Sequence, residues 1–360
     1  MLLDTASNFF RDKSPSAKVR NLIGSANGYD DAVWQEMVSL GWSGLAIPED
    51  FGGSGLGLAA AVSIAEPMGR HLAALPFIST QLFVQGVLAG GSDEQKSQYL
   101  PAIAEGSIGT VALFEEAGNW DLTSATAELK AAGDRFTLTG VKTFVTDAEV
   151  ADHYLVTATL AGEPALAIVA KAEIPPASLS RETVIDETRR SYRLVIDGVE
   201  LSAANVIRGE RARNALAAVR DAALLLISAE STGGIAGVLE VIVEYLNTRS
   251  AFGRKIGSYQ ALKHPSVDIL IGLERARSHV YHAASLLDAA EDAEVALRMA
   301  KAESSSSFAF AGDRAIQFHG GFGFTYECDA QLYLRRALWS QYAFGDAAHH
   351  RKHLAALLLD

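Results

Sequence analysis

The chain has 360 residues, of which 49% are hydrophobic and 21% are charged, and its formal net charge is −12. A chain of this length is too long for a single hydrophobic core, which predicts two or three structural units. The composition is typical of a soluble globular protein. The negative charge argues against nucleic acid as a partner. We expect no membrane span, because no apolar run approaches roughly 20 residues. We also expect no signal peptide, because the first residues lack a basic flank and a long apolar core. Cys328 is the one cysteine, which excludes an internal disulfide, fits a cytoplasmic location and predicts a buried rather than a reactive thiol.

The first 108 residues follow a helical pattern, with apolar residues recurring every three to four positions. Asp30 and Asp31 predict a helix start, and Gly41 predicts its end. Further helices are expected over residues 58–70, 77–88 and 93–100. A glycine-rich loop at residues 47–57 precedes the first of these. No strand-like run comes before the loop and its glycine spacing differs from a dinucleotide-binding fingerprint, so it predicts a structural turn.

Near Ile108 the period of the apolar residues changes from about 3.6 to 2, which indicates short strands. The predicted strands cover residues 110–115, 125–130, 135–139, 153–160, 165–170, 192–196 and 199–206. They predict a small β domain, built as a barrel or a sandwich. From Arg213 the helical pattern returns and continues to Leu359, with a long apolar stretch over residues 219–246.

The predicted fold is therefore α+β, with three domains in an uncommon order. An N-terminal helical domain is expected over residues 1–108, a β domain over residues 109–212 and a C-terminal four-helix bundle over residues 213–360. This order narrows the choice of fold considerably.

Residues 249–260 connect two long helices of the C-terminal part and combine three cations, two glycines and the aromatic residues Phe252 and Tyr259. Cations after a helix C-terminus compensate the helix dipole, which is one interpretation of Arg249. A guanidinium beside Phe252 and the amide of Gln260 is also typical of a clamp for a phosphate-bearing ligand. The residues by themselves leave both interpretations open.

Five segments, in order along essentially the whole chain, resemble the acyl-CoA dehydrogenase family: residues 46–53, 99–106, 139–146, 249–260 and 316–324 with Arg335. The resemblance implies an FAD-dependent enzyme, usually a tetramer, that desaturates a fatty or other acyl-CoA between Cα and Cβ. It also implies an electron-transfer flavoprotein as the electron acceptor.

The resemblance also gives the residues of the clamp a role. In the family the counterparts of Arg249 and Phe252 reach across an interface to FAD that is bound mainly by a neighbouring subunit. The other cofactor contacts implied are Gln260, Gln317, Gly320 and Gly321 along the cofactor's tail, and Phe144 and Thr146 beside the flavin ring. A helix-ending turn is the alternative for the two glycines, and a β-branched strand residue is the alternative for Thr146.

Several positions depart from the family's pattern. The family removes the α-proton of the thioester with a glutamate, and the matching position here is Phe344, while Ala223 occupies the place that other members use. Phe114 replaces a flavin-contacting threonine, Trp120 replaces a CoA-contacting serine, and Leu224 replaces an arginine near the substrate. The catalytic base is therefore unknown, and the large apolar residues are expected to crowd the flavin ring and the thioester.

Substitute bases are conceivable at Glu230, Asp346 and Asp221, although carboxylates on such helices are more often solvated or paired. His349, His350 and His353 could suggest a metal site. Adjacent histidines point to different faces of a helix, so an exposed basic C-terminal helix is the better prediction.

The leading hypothesis is a subunit of a homo- or hetero-oligomer that clamps FAD held by a catalytic family member while its own site is degenerate. Bacterial members that shorten steroid side chains form assemblies of this kind, and the chain resembles their non-catalytic subunit. One alternative is a self-sufficient acyl-CoA dehydrogenase with Glu230 or Asp346 as a displaced base. The other is a flavin-free scaffold or CoA-ester-binding protein.

Overall fold

Seven helices build the N-terminal part of the chain in the computed structural model, which describes residues 1–359. They are α1 (Leu2–Lys13), α2 (Ser16–Ile23), α3 (Asp31–Ser39), α4 (Gly57–Ala60), α5 (Val62–Arg70), α6 (Phe77–Gly90) and α7 (Asp93–Ala104). The predicted start of α3 is confirmed, because the Asp30 carboxylate accepts from the N–H groups of Ala32 and Val33. The helix expected over residues 58–70 is divided into α4 and α5 at Ala61.

Eight strands form one mixed sheet in the middle of the chain. They are β1 (Gly109–Ala112), β2 (Glu128–Ala132), β3 (Arg135–Thr146), β4 (His153–Leu160), β5 (Glu163–Ala170), β6 (Leu179–Glu182), β7 (Ser191–Ser202) and β8 (Val206–Arg208). The order across the sheet is β6-β7-β3-β2-β4-β5-β8, and β1 pairs with β4 in parallel. Within residues 1–359, β6 and β8 are the two ends of this strand order and do not pair with each other. The predicted barrel or sandwich is therefore an open sheet.

Two strands are longer than the sequence pattern predicts because irregularities interrupt their alternation. β3 continues seven residues beyond the expected end at Thr139, and its register with β7 shifts after Leu138 and after Lys142. The second shift surrounds Phe144, whose φ is +54°. Such bulges break the period of 2 on which strand prediction depends. In the same way β7 joins two predicted strands across Gly198.

Five helices close the chain, and the first four of them form the predicted C-terminal bundle. They are α8 (Glu210–Thr248), α9 (Gln260–Asp288), α10 (Glu294–His319), α11 (Ala330–Tyr342) and α12 (Ala347–Leu359). α8, α10 and α11 contact one another, α9 packs on α8 and α10, and α12 packs on α10. The bundle begins at Glu210, three residues before the predicted start at Arg213.

α8 is the central element of the molecule, because it packs on α5 and α6 as well as on its partners in the bundle. Contrary to the sequence prediction, this helix is long and apolar enough to cross a membrane. However, the most apolar 18-residue stretch of α8 is 94% buried inside the protein, as in the core helix of a globular fold.

Glycines allow α5 and α8 to approach closely. A Cβ added to Gly233 would lie 1.7 Å from the carbonyl oxygen of Glu66, and one added to Gly69 would lie 1.8 Å from that of Glu230. These contacts are with backbone atoms, which cannot move aside as a flexible side chain can. The crossing therefore brings Glu230 on α8 next to the N-terminal helices.

Candidate functional site

A cavity of about 500 Å³ lies where α6, the sheet, α8 and α11 meet. Its lining is mostly apolar and combines residues that are far apart in the sequence: Ile78, Ser79, Leu82, Val111, Phe114, Gly118, Trp120, Phe144, Thr146, Thr183, Val184, Ile185, Arg189, Ile227, Leu338, Trp339, Tyr342, Ala343 and Phe344. This volume lies in the range of small-molecule sites. The cavity is the candidate site of this chain.

Phe144 and Thr146, which the sequence analysis assigned to the flavin ring, both line this cavity. The backbone N–H of Phe144 donates to Glu182 on β6 at 2.8 Å, and this bond helps to hold the residue at its positive φ. The ring of Phe144 remains 57% exposed. Thr146 is fixed by pairing with Ser191 on β7, and its carbonyl accepts from the hydroxyl of Thr110 at 2.6 Å. The two side chains thus present a flat surface and a hydroxyl to the cavity.

Three aromatic side chains that replace family residues converge at one side of the cavity. The rings of Phe114 and Phe344 contact edge to face, with centroids 5.1 Å apart. The indole N–H of Trp120 donates to the carbonyl of Tyr342 at 3.1 Å. These contacts join the β domain to the segment between α11 and α12. Phe344, at the position expected for the base, is therefore part of an aromatic wall of the cavity.

Lys301 on α10 holds the segment that carries Phe344. Its buried ammonium donates to the carbonyls of Ser340 and Gly345, each at 3.0 Å, and to the hydroxyl of Ser305 at 2.8 Å. Burial lowers the pKa of Lys301 to about 7, although the charge of Asp346 opposes this shift. The carbonyls at the end of α11, which have no partner in their own helix, are thereby satisfied.

Glu230, Asp346 and Asp221 do not line the cavity, so the structure does not support the proposed substitute bases. Asp346 accepts from the backbone N–H of His349 at 2.8 Å and caps α12. Asp221 pairs with Arg220 at 2.9 Å, and burial raises the pKa of its carboxyl group. Within residues 1–359 the lining of the cavity contains no carboxylate at all.

Glu230 belongs to a buried ionic cluster behind the cavity wall. Its Oε1 accepts from Arg336 at 2.9 Å and also from Arg189. Arg336 further pairs with Asp186 and donates to the Thr188 hydroxyl at 2.6 Å. Burial acts to raise the pKa of Asp186, but Arg336 and the hydrogen bond from Thr188 keep it below its ordinary value. Glu230 is thus buried, paired with two guanidinium groups and absent from the cavity lining, so its position does not suit the role of a base in this cavity.

Sequence reasoning missed Arg189, Arg336 and Trp339, which shape this region. Arg189 lies in the loop before β7, and its guanidinium stacks on the Trp339 ring at 5.0 Å from the centroid. Arg189 is distant in the sequence from Arg336 and Trp339, which lie one turn apart on α11, and the sequence offered only a weak signal for this group. It consists of two adjacent arginines, Arg189 and Arg190, next to a strand of apolar residues.

The residues of the predicted clamp lie on a two-stranded hairpin between α8 and α9. Its strands are β9 (Ser250–Ala251) and β10 (Arg254–Lys255). Phe252 and Gly253 form the turn with φ of +52° and +80°, the pattern of a type I′ turn. The Phe252 ring is 95% exposed, and Arg249 and Gln260 at the two ends of the hairpin are exposed as well.

Gln317, Gly320 and Gly321 lie at the C-terminal end of α10, at the same end of the bundle as the hairpin. Stacking of Tyr245 on His319, with centroids 4.1 Å apart, joins the two helix ends. The structure thus brings the second group of predicted residues to one exposed surface. A Cβ added at Gly320 or Gly321 would meet nothing within 4 Å, so their backbone is open to a ligand.

The exposed surface that carries the predicted clamp residues is far from the cavity. Within one chain, residues of the two regions cannot contact the same part of a ligand. Ile227 lines the cavity and Thr248 ends α8, and the rise of an α-helix places them roughly 30 Å apart. Exposed guanidinium, amide and glycine backbone groups suit the pyrophosphate of FAD.

The C-terminal helix is not uniformly exposed as predicted. His350 is only 1% exposed, and its Nε2 contacts the carbonyl of Phe344 at 3.0 Å. Burial, with Lys301 and His349 nearby, lowers the pKa of His350 to about 3. Within the described part of the chain no group of three His, Cys, Asp or Glu residues could hold a metal ion. Cys328 is buried as predicted, and burial raises the pKa of its thiol.

Comparisons with known proteins agree with this architecture. The family model for the acyl-CoA dehydrogenase N-terminal domain matches residues 1–107, and the model for the acyl-CoA dehydrogenase C-terminal domain matches residues 211–359. Acyl-CoA dehydrogenase IpdE2 of Mycobacterium tuberculosis is 30% identical over 342 residues, which are 94% of this chain and 90% of that protein. Mitochondrial isovaleryl-CoA dehydrogenase of Pongo abelii is 28% identical over 84% of this chain and 75% of that protein.

Among solved structures, the Tcur3481-Tcur3483 steroid ACAD G363A variant superposes with a TM-score of 0.88 at 27% identity, covering 99% of this chain and 96% of that one. The ChsE4-ChsE5 complex from Mycobacterium tuberculosis gives a TM-score of 0.90 over 100% of this chain and 96% of that one. Its identity is 24%, so it supports the fold alone.

Proposed function

The chain belongs to the acyl-CoA dehydrogenase family of FAD-dependent oxidoreductases that act on CH–CH bonds, and we propose that it works as a partner subunit within a heteromer. In this proposal the hairpin at Arg249 and Phe252 binds FAD held mainly by another family member, while the cavity of this chain carries out no dehydrogenation. The observation that carries the proposal is the absence of any carboxylate from the described cavity lining, together with the exposure of the clamp.

The proposed division of labour follows from the chemistry of the reaction. When bound, FAD accepts the hydride from Cβ, and a carboxylate must take the weakly acidic α-proton in a site without water. Phe344 cannot take a proton, so the partner subunit would supply the base. This chain would contribute charge compensation from Arg249, close backbone approach at Gly320 and Gly321, amide groups from Gln260 and Gln317, and an aromatic contact from Phe252. Phe144 and Thr146 would no longer serve the oxidation.

The name of one relative supports the choice of substrate and assembly. The Tcur3481-Tcur3483 structure pairs two proteins in a steroid acyl-CoA dehydrogenase. We propose an acyl-CoA substrate of fatty or steroid side-chain type, a hetero-oligomer in the cytoplasm and an electron-transfer flavoprotein as the acceptor. We also propose the domain limits at residues 1–108, 109–212 and 213–360.

The test is to purify the chain alone and after co-expression with a second family member from the same genome. We expect little flavin on the isolated chain and a flavin-containing, active complex. Arg249→Met in this chain should release FAD from the complex, whereas the exposed Arg213→Met, which lies at the other end of α8, should not. Stoichiometric flavin and dehydrogenation by the isolated chain would refute the proposal.

Two alternatives remain separable by experiment. A self-sufficient enzyme with a displaced base predicts that Glu230→Gln or Asp346→Asn reduces turnover by orders of magnitude at unchanged flavin content. The buried pairing of Glu230 and the capping role of Asp346 argue against this result. A flavin-free scaffold predicts no flavin absorbance in either the isolated chain or the complex.

A further inference from the structure

The predicted clamp residues come from the ends of two different helices. Arg249 and Phe252 follow α8, whereas Gly320 and Gly321 follow α10. Groups on separate elements bind one ligand well only when their spacing is fixed before the ligand arrives. A contact between the two helix ends would fix this spacing in advance.

Tyr245, in the last turn of α8, contacts both parts of the clamp. Its carbonyl accepts the backbone N–H of Arg249 at 2.9 Å. Its ring stacks on the imidazole of His319, with the centroids 4.1 Å apart and the ring planes at 24° to each other. His319 directly precedes Gly320 in the chain. One half-buried residue thus connects the residue that carries the guanidinium to the glycine turn.

The imidazole of His319 is itself held in one orientation. Its Nδ1 lies 2.7 Å from the carbonyl oxygen of Ala315, and because a carbonyl only accepts, Nδ1 carries the hydrogen and donates it. The glycine turn folds back onto this side chain, since a Cβ added at Gly323 would lie 3.1 Å from the Cβ of His319. The N–H of Gly323 also donates to the carbonyl of Gly320 at 2.9 Å. The imidazole therefore connects the glycine turn to the ring of Tyr245.

The hairpin is tied to the end of α8 in a similar way. The N–H of Ile256 donates to the carbonyl of Arg249 at 2.9 Å. The hydroxyl of Tyr259 donates to the carbonyl of Ala251 at 3.2 Å. The position of the hairpin relative to the glycine turn therefore depends on how the end of α8 is held against the end of α10.

Tyr245 also packs against the apolar cluster of the bundle, so packing alone is the simpler interpretation of its ring. A leucine would fill that role nearly as well, whereas stacking on His319 requires a flat ring. A stack restricts the tilt and the rotation of both rings, which a contact between aliphatic groups does not. The two interpretations therefore predict different results for Tyr245→Leu and for Tyr245→Phe.

We propose that Tyr245 is a positioning residue of the clamp. Through its stack on His319 it holds Arg249 and the backbone of Gly320 and Gly321 at a fixed spacing, so that one diphosphate group meets all three. The inference rests on the proposed function for the identity of the ligand, FAD. It deepens that function by identifying what sets the geometry of the clamp.

The first test measures the rate at which FAD leaves the co-expressed complex, from the change in flavin fluorescence. Tyr245→Leu should release FAD about tenfold faster, since an aromatic pair contributes up to roughly this factor. Tyr245→Phe retains the ring and should release FAD at the native rate. The partly exposed Tyr281 is the matched control, because it lies roughly 30 Å along α9 from the hairpin. Tyr281→Leu should also keep the native rate.

Hydrogen exchange on the isolated chain tests the same role without any flavin. Tyr245→Leu should accelerate exchange both over residues 249–257 and over residues 320–323, while residues 222–238 of α8 stay protected. His319→Leu should give the same pattern, which covers the case in which Tyr245→Leu does not fold. Loss of protection throughout the bundle in both variants would show that the rings only pack, and it would overturn the inference.

Three further results would overturn it. They are a native release rate in folded Tyr245→Leu, equal release from Tyr245→Leu and Tyr245→Phe, and unchanged exchange in both segments. Stoichiometric flavin on the isolated chain would instead refute the proposed function. Release would then be measured on that chain with the same variants, and exchange would decide the positioning role separately.

Discussion

At the scale of single residues, His350 makes the stability of the folded protein depend on pH. Because burial keeps the ring neutral in the folded state, with a pKa of about 3 against the ordinary 6.5, the unfolded chain binds the proton first. Stability is therefore present above pH 6.5 and is lost as the pH falls toward 3, by at most roughly 1.4 kcal/mol per pH unit.

We expect His350→Gln to remove most of this dependence between pH 6.5 and 4. Urea unfolding at several pH values, followed by circular dichroism, measures it. The exposed His282 provides the control, since His282→Gln should leave the pH dependence of the native protein unchanged. An identical slope in His350→Gln would show that other groups govern the acid transition.

Arg336 is the residue whose loss should harm the fold most among the ionic groups. Its guanidinium is fully buried and pairs with both Asp186 and Glu230. Arg336→Met should cost about 3–5 kcal/mol in the free energy of unfolding, because it leaves buried charge without compensation. Removing the partly exposed Arg193, which pairs with Glu116 at 3.0 Å, should cost at most about 1 kcal/mol. Equal losses in the two variants would contradict this assignment of the cluster.

At the scale of secondary-structure elements, the crossing of α5 and α8 depends on small residues. A side chain at Gly233 would overlap the backbone of Glu66 on α5. Gly233→Val should separate the two helices and lower the melting temperature by many degrees or prevent folding. Gly24→Ala is the control, because a Cβ there meets nothing within 4 Å and its φ is −84°. A stable Gly233→Val variant with an unchanged melting temperature would show that the crossing can widen freely.

The conformation of the segment between α11 and α12 depends on the ammonium group of Lys301. Lys301→Met would leave the buried carbonyls of Ser340 and Gly345 without their donor, at roughly 1–3 kcal/mol for each unsatisfied group. Hydrogen exchange should accelerate over residues 341–346 and leave α8 protected. Lys352→Met, on the exposed side of α12, should change neither region. Unchanged exchange in Lys301→Met would mean that the aromatic contacts alone hold the segment.

At the scale of the whole molecule, the exposed apolar row on α9 predicts association. Val267, Leu270 and Ile271 are each about half exposed, which is a substantial apolar surface for one helix. Together, Val267→Asp and Ile271→Asp should shift sedimentation toward a smaller species. Ala261→Asp, an exposed position on the same helix, should not. An unchanged sedimentation profile in the double variant would exclude this face from the assembly.

The sequence alone determined the family and the order of helical, β and helical parts, because these depend on local periodicity and on short segments that keep their spacing. The sequence also showed that Phe344, and not a carboxylate, occupies the position that the resemblance assigns to the base. The long irregular strands were not predictable, because the bulge at Phe144 and the joining across Gly198 depend on pairing with distant partners.

Only the tertiary structure decided what the remaining charged residues can do. Glu230 and Asp346 looked equally suitable as bases in the sequence, yet packing buries one between two arginines and makes the other a helix cap. Arg189 had no visible role until the fold placed it on the cavity wall beside Trp339. The physical reason is that desolvation and pairing, which set the chemistry of an ionisable group, come from residues brought near it by folding.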